Sequence, residues 1–296
     1  MRKLYLTKNA RNSKINEKEV CRNRRNCGAP QGSDKLYEPT VWAVLIWGLS
    51  LFFWRRDMGI YDVQSIGTLL AGNSYVGRGI VVGMSEDARY AAAAYFIMGR
   101  SENSRNRVFV EQGDEVVIHP FDASKVEDPS LIIYSPLRRL NDCLIVTNGD
   151  QTDTIYDFIK DGGRFEDALD TRAFEPDAPN FTPRISAMLT FSGQAFSYKM
   201  SILKSADAAG SACNRFTFSY APLAGLGHFL HTYNHDGSPI PTFTGEPERV
   251  RIPDDIDAFT DEIWRHLNEA NRISLYVRYV RLADGKIQNR MVNKNK

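Results

Sequence analysis

Three arginines lie within nine consecutive residues that join two strand-like segments. The segment is GRSENSRNR, residues 99–107, and it contains Arg100, Arg105 and Arg107. A guanidinium group stays charged at any working pH and presents a planar fork of hydrogen-bond donors, so a cluster of arginines on a rigid scaffold suits a phosphate or a carboxylate. The composition therefore predicts a loop that holds an anion. A solvated hairpin tip would have the same composition, and both interpretations stand at this point.

Several signature motifs of common enzyme classes are altered or absent in this sequence. Residues 72–79 have the glycine spacing of a phosphate-binding loop, but Gly77, Arg78 and Gly79 replace the Gly-Lys-Ser/Thr that a nucleoside triphosphate needs. The sequence contains no GxSxG, HExxH or dinucleotide-binding fingerprint. These observations argue against a triphosphate-binding enzyme, a serine hydrolase of that type and a zinc protease.

Three histidines, His228, His231 and His235, lie close together in GHFLHTYNHDG. On a strand, residues three apart point to opposite faces, so His228 and His231 would diverge. We therefore expect packing and pocket-lining roles for these residues, with no metal and no cofactor.

The charge of the chain is divided unevenly. Residues 1–57 hold twelve Lys and Arg against five Asp and Glu, which leaves 25 against 31 in residues 58–296. A mildly acidic body argues against a broad nucleic-acid surface. The four cysteines have neither metal-binding nor redox spacing, which predicts a reducing, cytoplasmic location.

The first 57 residues differ in character from the rest. A basic, Asn-rich stretch leads into VWAVLIWGLSLFFW, residues 41–54. As a helix this run would be about 21 Å long, shorter than the ~30 Å hydrocarbon core of a membrane. We interpret residues 1–57 as a leader that is disordered or outside the fold, with one catalytic domain over residues 58–296. The competing interpretation is a peripheral or single membrane anchor through residues 41–54.

Beyond Met58, β-branched and aromatic runs broken by Gly, Asp and Asn predict many short strands. The predicted strands are residues 79–84, 90–98, 107–121, 130–136, 142–148, 185–191, 195–205, 215–222, 227–233 and, as the last strand, 273–282. Capping-competent residues, terminal glycines and apolar spacing predict helices at 151–163, 164–174 and 254–271. Long strand runs with helices inserted in blocks favour an α+β layered sandwich over an alternating βαβ fold.

Five motifs in order resemble one known family. They are SYVGRGIVVG (74–83), AYFIMGRSENSRNR (94–107), DPSLIIY (128–134), TNGDQTDTI (147–155) and FEPDAPNFTPRI (174–185). Together they resemble the archaeal-type IMP cyclohydrolase family, which closes the purine ring in the last step of inosine monophosphate synthesis. The second half of the body looks like a bacterial branch of that family. The arginine loop is about two residues longer than the archaeal form.

The resemblance implies the four-layer αββα sandwich of the N-terminal-nucleophile hydrolases. That fold normally exposes a catalytic Thr, Ser or Cys as its first residue, whereas the equivalent position here is Ser74, inside the chain. The resemblance therefore implies this fold without a free N-terminal nucleophile. It also implies a purine ribonucleotide, 5-formamidoimidazole-4-carboxamide ribonucleotide, as the substrate, and it is compatible with a homo-oligomer.

By motif match, the resemblance assigns three catalytic residues. Arg107 would bind the formyl oxygen or nearby negative charge, and Tyr134 would donate or relay a proton. Glu175 would orient the carboxamide and accept its proton. A solvated salt bridge, a core tyrosine and a surface charge at a helix end are the respective alternatives. The same match gives six candidate substrate-binding residues: Arg78, Arg100 and Arg105 for the ribose phosphate, Asn148 and Asp153 for the base or ribose, and Arg184 to hold the Glu175 loop.

Two further functions stay open. The fold family and the Gly-Asn-Ser string suggest an amidohydrolase that cleaves itself between Asn73 and Ser74. Alternatively, the chain is a purine-nucleotide-binding protein that has kept the pocket and lost the reaction.

Overall fold

Two antiparallel sheets account for most of the described chain, which in this computed structural model is Gly59 with residues 61–126 and 133–295. The predicted leader and residues 128–132 of the DPSLIIY motif lie outside the described residues. The strands are β1 (Arg78–Met84), β2 (Tyr90–Met98), β3 (Val108–Gln112), β4 (Glu115–His119), β5 (Leu137–Leu140), β6 (Cys143–Thr147), β7 (Arg184–Ser192), β8 (Ala195–Ser205), β9 (Cys213–Tyr220), β10 (Leu226–His231), β11 (Glu248–Arg251), β12 (Arg272–Arg281) and β13 (Ile287–Asn293). The helices are α1 (Ile66–Leu70), α2 (Glu102–Arg105), α3 (Gln151–Lys160), α4 (Phe165–Asp170) and α5 (Ile256–His266).

The strand order separates the chain into its two sheets. The first sheet has the order β11-β10-β1-β2-β12-β13, and the second has the order β3-β4-β5-β6-β7-β8-β9. The second sheet is built from strands that are consecutive in the chain, whereas the first joins the beginning of the described chain to its end. The α+β expectation is confirmed.

Strand β2 shows why apolar runs rather than alternating patterns mark the first sheet. All nine of its residues are buried. Ala93, Tyr95 and Ile97 belong to the core between the two sheets, whereas Phe96 and Met98 pack in the core that includes α1 and α5. Because both faces of the strand are covered, neither face needs polar side chains.

A third apolar cluster covers the outer face of the second sheet. Ile155 of α3 and Phe165 and Leu169 of α4 pack against Ile145 and Met188 of the sheet. Each sheet therefore has helices on one face and the other sheet's apolar core on the opposite face. None of the helices in residues 59, 61–126 and 133–295 is long and apolar enough to cross a membrane.

The run predicted as one strand over 107–121 is two strands, β3 and β4, joined by a turn at Gly113 and Asp114, and α4 ends at Asp170 rather than at residue 174. Three further elements differ from the prediction. Residues 133–136 form no strand, and β5 begins after them at Leu137, since Pro136 has no N–H for a sheet ladder. Helix α5 ends at His266 rather than at residue 271, because Leu267 has an extended ψ of 131°. The strand predicted to be the last is followed by one more, β13. This edge strand has a polar composition, so no apolar run predicts it.

Candidate active site

The arginine loop is folded by its own serines. Ser101 and Ser104 form a reciprocal capping box around the short helix α2. Arg100 donates to Asp236 Oδ1 at 2.6 Å and to the Gly237 carbonyl at 2.9 Å. Two of the three arginines are bound to protein groups, because Arg105 donates to the Gly99 carbonyl at 3.0 Å and to Asn271 Oδ1 at 2.9 Å.

The third arginine of the loop turns inward. Arg107 lies just before β3, is 8% exposed, and joins four other side chains. We call this group the central cluster; it consists of Arg78, Tyr95, Arg107, Tyr134 and Glu175. The Tyr95 and Tyr134 hydroxyls are 2.9 Å apart, and Arg78 Nη2 lies 3.9 Å from Glu175 Oε2. The cluster therefore combines two guanidinium groups, a carboxylate and two phenols.

The pKa values in the central cluster depend on one another. Burial raises the pKa of Glu175, and the nearby charges of Arg78 and Arg184 only partly oppose this effect. Burial also raises the pKa of Tyr134, against the opposing charges of Arg78 and Arg107. Tyr134 thus keeps its proton, while the proton affinity of Glu175 is above that of an ordinary carboxylate.

The two arginines respond differently to the same surroundings. Burial lowers the pKa of Arg107, and the positive charge of Arg78 lowers it further. Burial alone would also lower the pKa of Arg78, but the attraction of Glu175 and nearby tyrosines raises it well above its usual value overall. Arg78 is thus the ion-pair partner of Glu175. The positive charge of Arg107 is less well balanced by nearby negative charge.

Both arginines carry a donor that no described protein group accepts. The Nε atoms of Arg78 and Arg107 are buried and have no hydrogen-bond partner among the described residues. An unsatisfied buried donor is destabilising by about 1–3 kcal/mol. Such donors are typical of a site whose acceptors are supplied by a bound ligand.

The segment after β10 fixes Arg78. The Arg78 amide donates to Thr232 Oγ1 at 3.1 Å, and the Thr232 amide donates to the Arg78 carbonyl at 3.0 Å. Gly77, which precedes Arg78, has a φ of +77°, and a Cβ built on it would lie 2.1 Å from Thr232 Oγ1. Only glycine allows this close approach of the two segments.

The same segment fixes the loop that carries Glu175. The Glu175 amide donates to the Thr182 carbonyl at 2.9 Å, and Asp177 accepts from the Thr182 amide at 2.6 Å. The Thr182 hydroxyl lies 2.6 Å from the Tyr233 hydroxyl and also hydrogen-bonds to Asp177. Arg78 and Glu175 are therefore positioned from the two adjacent residues Thr232 and Tyr233.

The family model described as "IMP cyclohydrolase-like protein" matches residues 75–285, well over half of the chain. The chain belongs to this IMP cyclohydrolase-like family.

The chain is 38% identical over 120 residues to the IMP cyclohydrolase of Methanothrix thermoacetophila, covering 39% of this chain and 58% of that protein. It is 36% identical over 126 residues to that of Methanopyrus kandleri, covering 41% and 61%. A match at 30% identity over 164 residues to the enzyme named IMP cyclohydrolase from Methanococcus aeolicus covers 54% and 74%. The chain spans about three fifths of the length of the first two relatives.

In this member of the IMP cyclohydrolase-like family, the remaining predicted residues lie outside the central cluster. Asn148 is buried and donates to the Pro183 carbonyl at 2.8 Å, and its oxygen accepts from Gln151 and from the Ile185 amide. Asp153 is exposed and pairs with Arg138 at 2.8 Å.

Arg184 lies between these groups and the Glu175 loop. It donates to Asp150 Oδ1 at 2.6 Å and to Gln151 Oε1 at 2.7 Å, and its charge lowers the pKa of Glu175. The structure thus brings Arg78, Arg107, Tyr134 and Glu175 together with Arg184 nearby, and it places Arg100, Arg105 and Asp153 on protein partners of their own.

Sequence reasoning missed Tyr95, Thr182 and Tyr233. Tyr95 lies in the middle of the apolar strand β2, where the only other hydroxyl is that of Tyr90 at its start, and this central hydroxyl is the signal that predicts a polar role. The histidines contact different neighbours: His228 binds Tyr198, whereas His231 stacks on Phe229. Within the described ranges, no group of three His, Cys, Asp or Glu side chains could hold a metal ion.

Proposed function

We propose that this chain closes the purine ring of 5-formamidoimidazole-4-carboxamide ribonucleotide to give inosine monophosphate and water. The observation that carries the proposal is the central cluster, found in a chain that belongs to the IMP cyclohydrolase-like family. In this cluster a carboxylate and two phenols lie with two buried guanidinium groups whose Nε atoms have no acceptor among the described residues.

The chemistry needs those groups. The carboxamide nitrogen attacks the formyl carbon, a C–N bond forms, and the resulting hydroxyl leaves as water when the C–O bond breaks. An amide is a weak nucleophile and hydroxide a poor leaving group, so the reaction needs a proton acceptor, a proton donor and stabilisation of the oxyanion. Because both reacting groups lie on one ring, holding them face to face supplies much of the acceleration.

Each role has a residue in the proposal. Glu175 accepts the proton of the carboxamide, and its raised pKa makes it a stronger base than an ordinary carboxylate. Tyr134, which stays protonated, donates to the departing oxygen. Arg107 donates its unused Nε–H to the formyl oxygen as negative charge develops there. Arg78 keeps Glu175 ionised from 3.9 Å away.

The layering supports a fold assignment that goes with this function. We infer the four-layer αββα sandwich of the N-terminal-nucleophile hydrolases, without a free N-terminal nucleophile, in one catalytic domain over residues 58–296. Three apolar clusters support the inference: one between the sheets, one under α1 and α5, and one under α3 and α4.

The test is a spectroscopic ring-closure assay on the full chain with a chelator present. We expect Glu175→Gln and Arg107→Ala each to lower turnover by about 10²–10⁴-fold. Glu269→Gln and Arg265→Ala are the matched controls, since their side chains are 86% and 74% exposed. Normal activity in both cluster variants would overturn the mechanism.

The same preparation separates the two other functions. An intact mass that corresponds to a chain beginning at Ser74 would indicate the self-cleaving amidohydrolase. Ser74 is exposed, and its carbonyl accepts from Asn271 at 2.9 Å. Tight binding of inosine monophosphate with no turnover would indicate a nucleotide-binding protein without activity.

A further inference from the structure

A cavity opens where the end of β9 approaches the pair β10-β11. Its volume is about 510 Å³, within the range of pockets for small organic ligands. Its lining includes Tyr61, Tyr220, Leu223, His228, Glu246 and Arg249. His228 lies four residues before Thr232, roughly 13 Å along an extended chain, so the cavity is separate from the central cluster.

His228 lines this cavity with an imidazole that can donate a hydrogen bond. Burial, with a smaller contribution from the charge of Arg249, lowers the pKa of His228 to about 4, so the ring is neutral near pH 7. Its Nδ1 lies 2.6 Å from the Tyr198 hydroxyl, and burial raises the pKa of Tyr198, so the phenol keeps its proton. In the tautomer in which the phenol donates that proton to Nδ1, the hydrogen of the neutral imidazole is on Nε2. No described residue accepts from Nε2.

Arg249 supplies a cation for which the described residues provide no salt-bridge partner. Its guanidinium forms no salt bridge with any described residue, and its Nε is buried without an acceptor. It lies 5.8 Å from the ring centre of Tyr61. An arginine that is held against an aromatic ring and lacks a carboxylate partner is well suited to bind an anionic group.

The walls of the cavity suit a flat body. Tyr220 stacks on His228 with ring centres 3.6 Å apart and planes 17° apart, which makes one rigid aromatic wall. Tyr61 and Leu223 are 76% and 60% exposed, among the most exposed large hydrophobic residues of the described chain. Burying such side chains against an apolar ring would be favourable.

Glu246 limits the charge of the ligand. Its carboxylate is exposed and lines the same cavity as Arg249. It would accept from a hydroxyl or amino group of the ligand and would repel a second anionic group. The combination favours a ligand with a single anionic group at one end.

We propose that this cavity is a second ligand site, for a small organic anion that carries a planar ring and one phosphate or carboxylate. Arg249 binds the anionic group, His228 Nε2–H donates to it or to the ring, and Glu246 accepts from the polar part of the ligand. The inference does not depend on the proposed ring-closing reaction.

Inosine 5′-monophosphate is a suitable probe because it has both a planar ring and one phosphate. We would count the molecules bound per full-length chain by equilibrium dialysis, in wild type, Arg249→Gln, His228→Phe and the surface control Arg265→Gln. We expect one more molecule per chain in wild type and in the control than in Arg249→Gln. His228→Phe keeps the aromatic stacking on Tyr220 and removes the donor, so it should weaken the second site about threefold to tenfold.

Two further measurements test which parts of the ligand the site requires and whether the site fills in wild type. Inosine, which lacks the phosphate, and ribose 5-phosphate, which lacks the ring, should each bind the second site at least about tenfold more weakly. In wild type, the imidazole NMR signals of His228 should shift as the second site fills, which does not depend on the folding of any variant.

The outcomes distinguish this site from the central cluster. If the central cluster does not bind inosine monophosphate, wild type should bind one molecule and Arg249→Gln none. Equal numbers bound by wild type and Arg249→Gln, or unshifted His228 signals at saturation, would overturn the second site. Equal affinity for ribose 5-phosphate would overturn the requirement for a ring.

Discussion

At the scale of single residues, opposing effects determine the protonation of Glu175. Burial raises its pKa, and Arg78 is the largest of the nearby charges that lower it. A carboxylate that acts as a base must be ionised, so activity falls as the pH drops through the pKa of Glu175. The pH at which activity falls on the acid side, called the acid limb of the pH–rate profile, therefore depends on the charge of Arg78.

We predict that Arg78→Met moves the acid limb of kcat/KM to higher pH. Removing the positive charge removes a contribution that lowers the pKa of Glu175, so the pKa rises and the base is ionised only at higher pH. The measurement is a pH–rate profile of the variant beside wild type and Arg265→Met. An acid limb that stays in place or moves down would contradict the ion partnership of Arg78 and Glu175.

The paired phenols lead to a second prediction. Tyr134→Phe removes the proposed proton donor and should lower kcat by about 10²–10⁴-fold. Tyr95→Phe removes only the hydroxyl that lies 2.9 Å from Tyr134, so kcat should fall by about tenfold. Turnover at saturating substrate compares the two variants. A larger loss in Tyr95→Phe than in Tyr134→Phe would reverse the two roles.

At the scale of elements, the close contact between the start of β1 and the segment after β10 positions Arg78 in the central cluster. We predict that Gly77→Ala lowers both stability and turnover, because its Cβ would collide with Thr232 and Tyr233. Gly72→Ala is the matched control: Gly72 has nearly the same φ, +76°, with nothing within 4 Å of a Cβ. The control should lose about 1 kcal/mol of unfolding free energy, from backbone strain alone.

Chemical denaturation and the ring-closure assay check this prediction together. Gly77→Ala should lose more stability than Gly72→Ala, and it alone should lose turnover, since the collision displaces Arg78. Equal losses in the two variants would mean that the contact with Thr232 does not position the site.

The elements themselves were largely predictable from the sequence, for physical reasons. Apolar spacing located α5, whose Ile256, Phe259 and Ile263 are buried, and apolar runs located β2 and β8. The short strand β11 and the polar edge strand β13 lack such runs. An edge strand has one open side and tolerates polar residues there, so its sequence resembles a loop.

The site was predictable only in part. Motif resemblance named Arg107, Tyr134 and Glu175, and the structure brings these three together. Their neighbours follow from tertiary contacts between distant segments, such as Tyr95 with Tyr134 or Thr182 with Tyr233. No local pattern encodes those pairs, because the two sheets must first pack face to face.

At the scale of the whole molecule, hydrogen bonds join the edges of the two sheets. Asn293 of β13 exchanges hydrogen bonds with the backbone of Phe109 in β3, at 2.9 and 3.0 Å. Nearby, the buried Arg278 of β12 donates to the carbonyl of Asp114, in the turn between β3 and β4, at 3.0 Å. These contacts connect the first sheet to the first hairpin of the second.

We predict that Arg278→Met lowers the free energy of unfolding by about 2–4 kcal/mol. Arg278 is 1% exposed and also donates to Asn289 Oδ1 at 3.0 Å and to the Tyr276 hydroxyl at 2.8 Å. Methionine fills similar space but leaves the buried Tyr276 hydroxyl and the half-buried Asn289 Oδ1 without this donor. Urea denaturation beside Arg265→Met measures the loss, and a change no larger than that of the surface control would show that the hairpin is held to the first sheet by apolar packing alone.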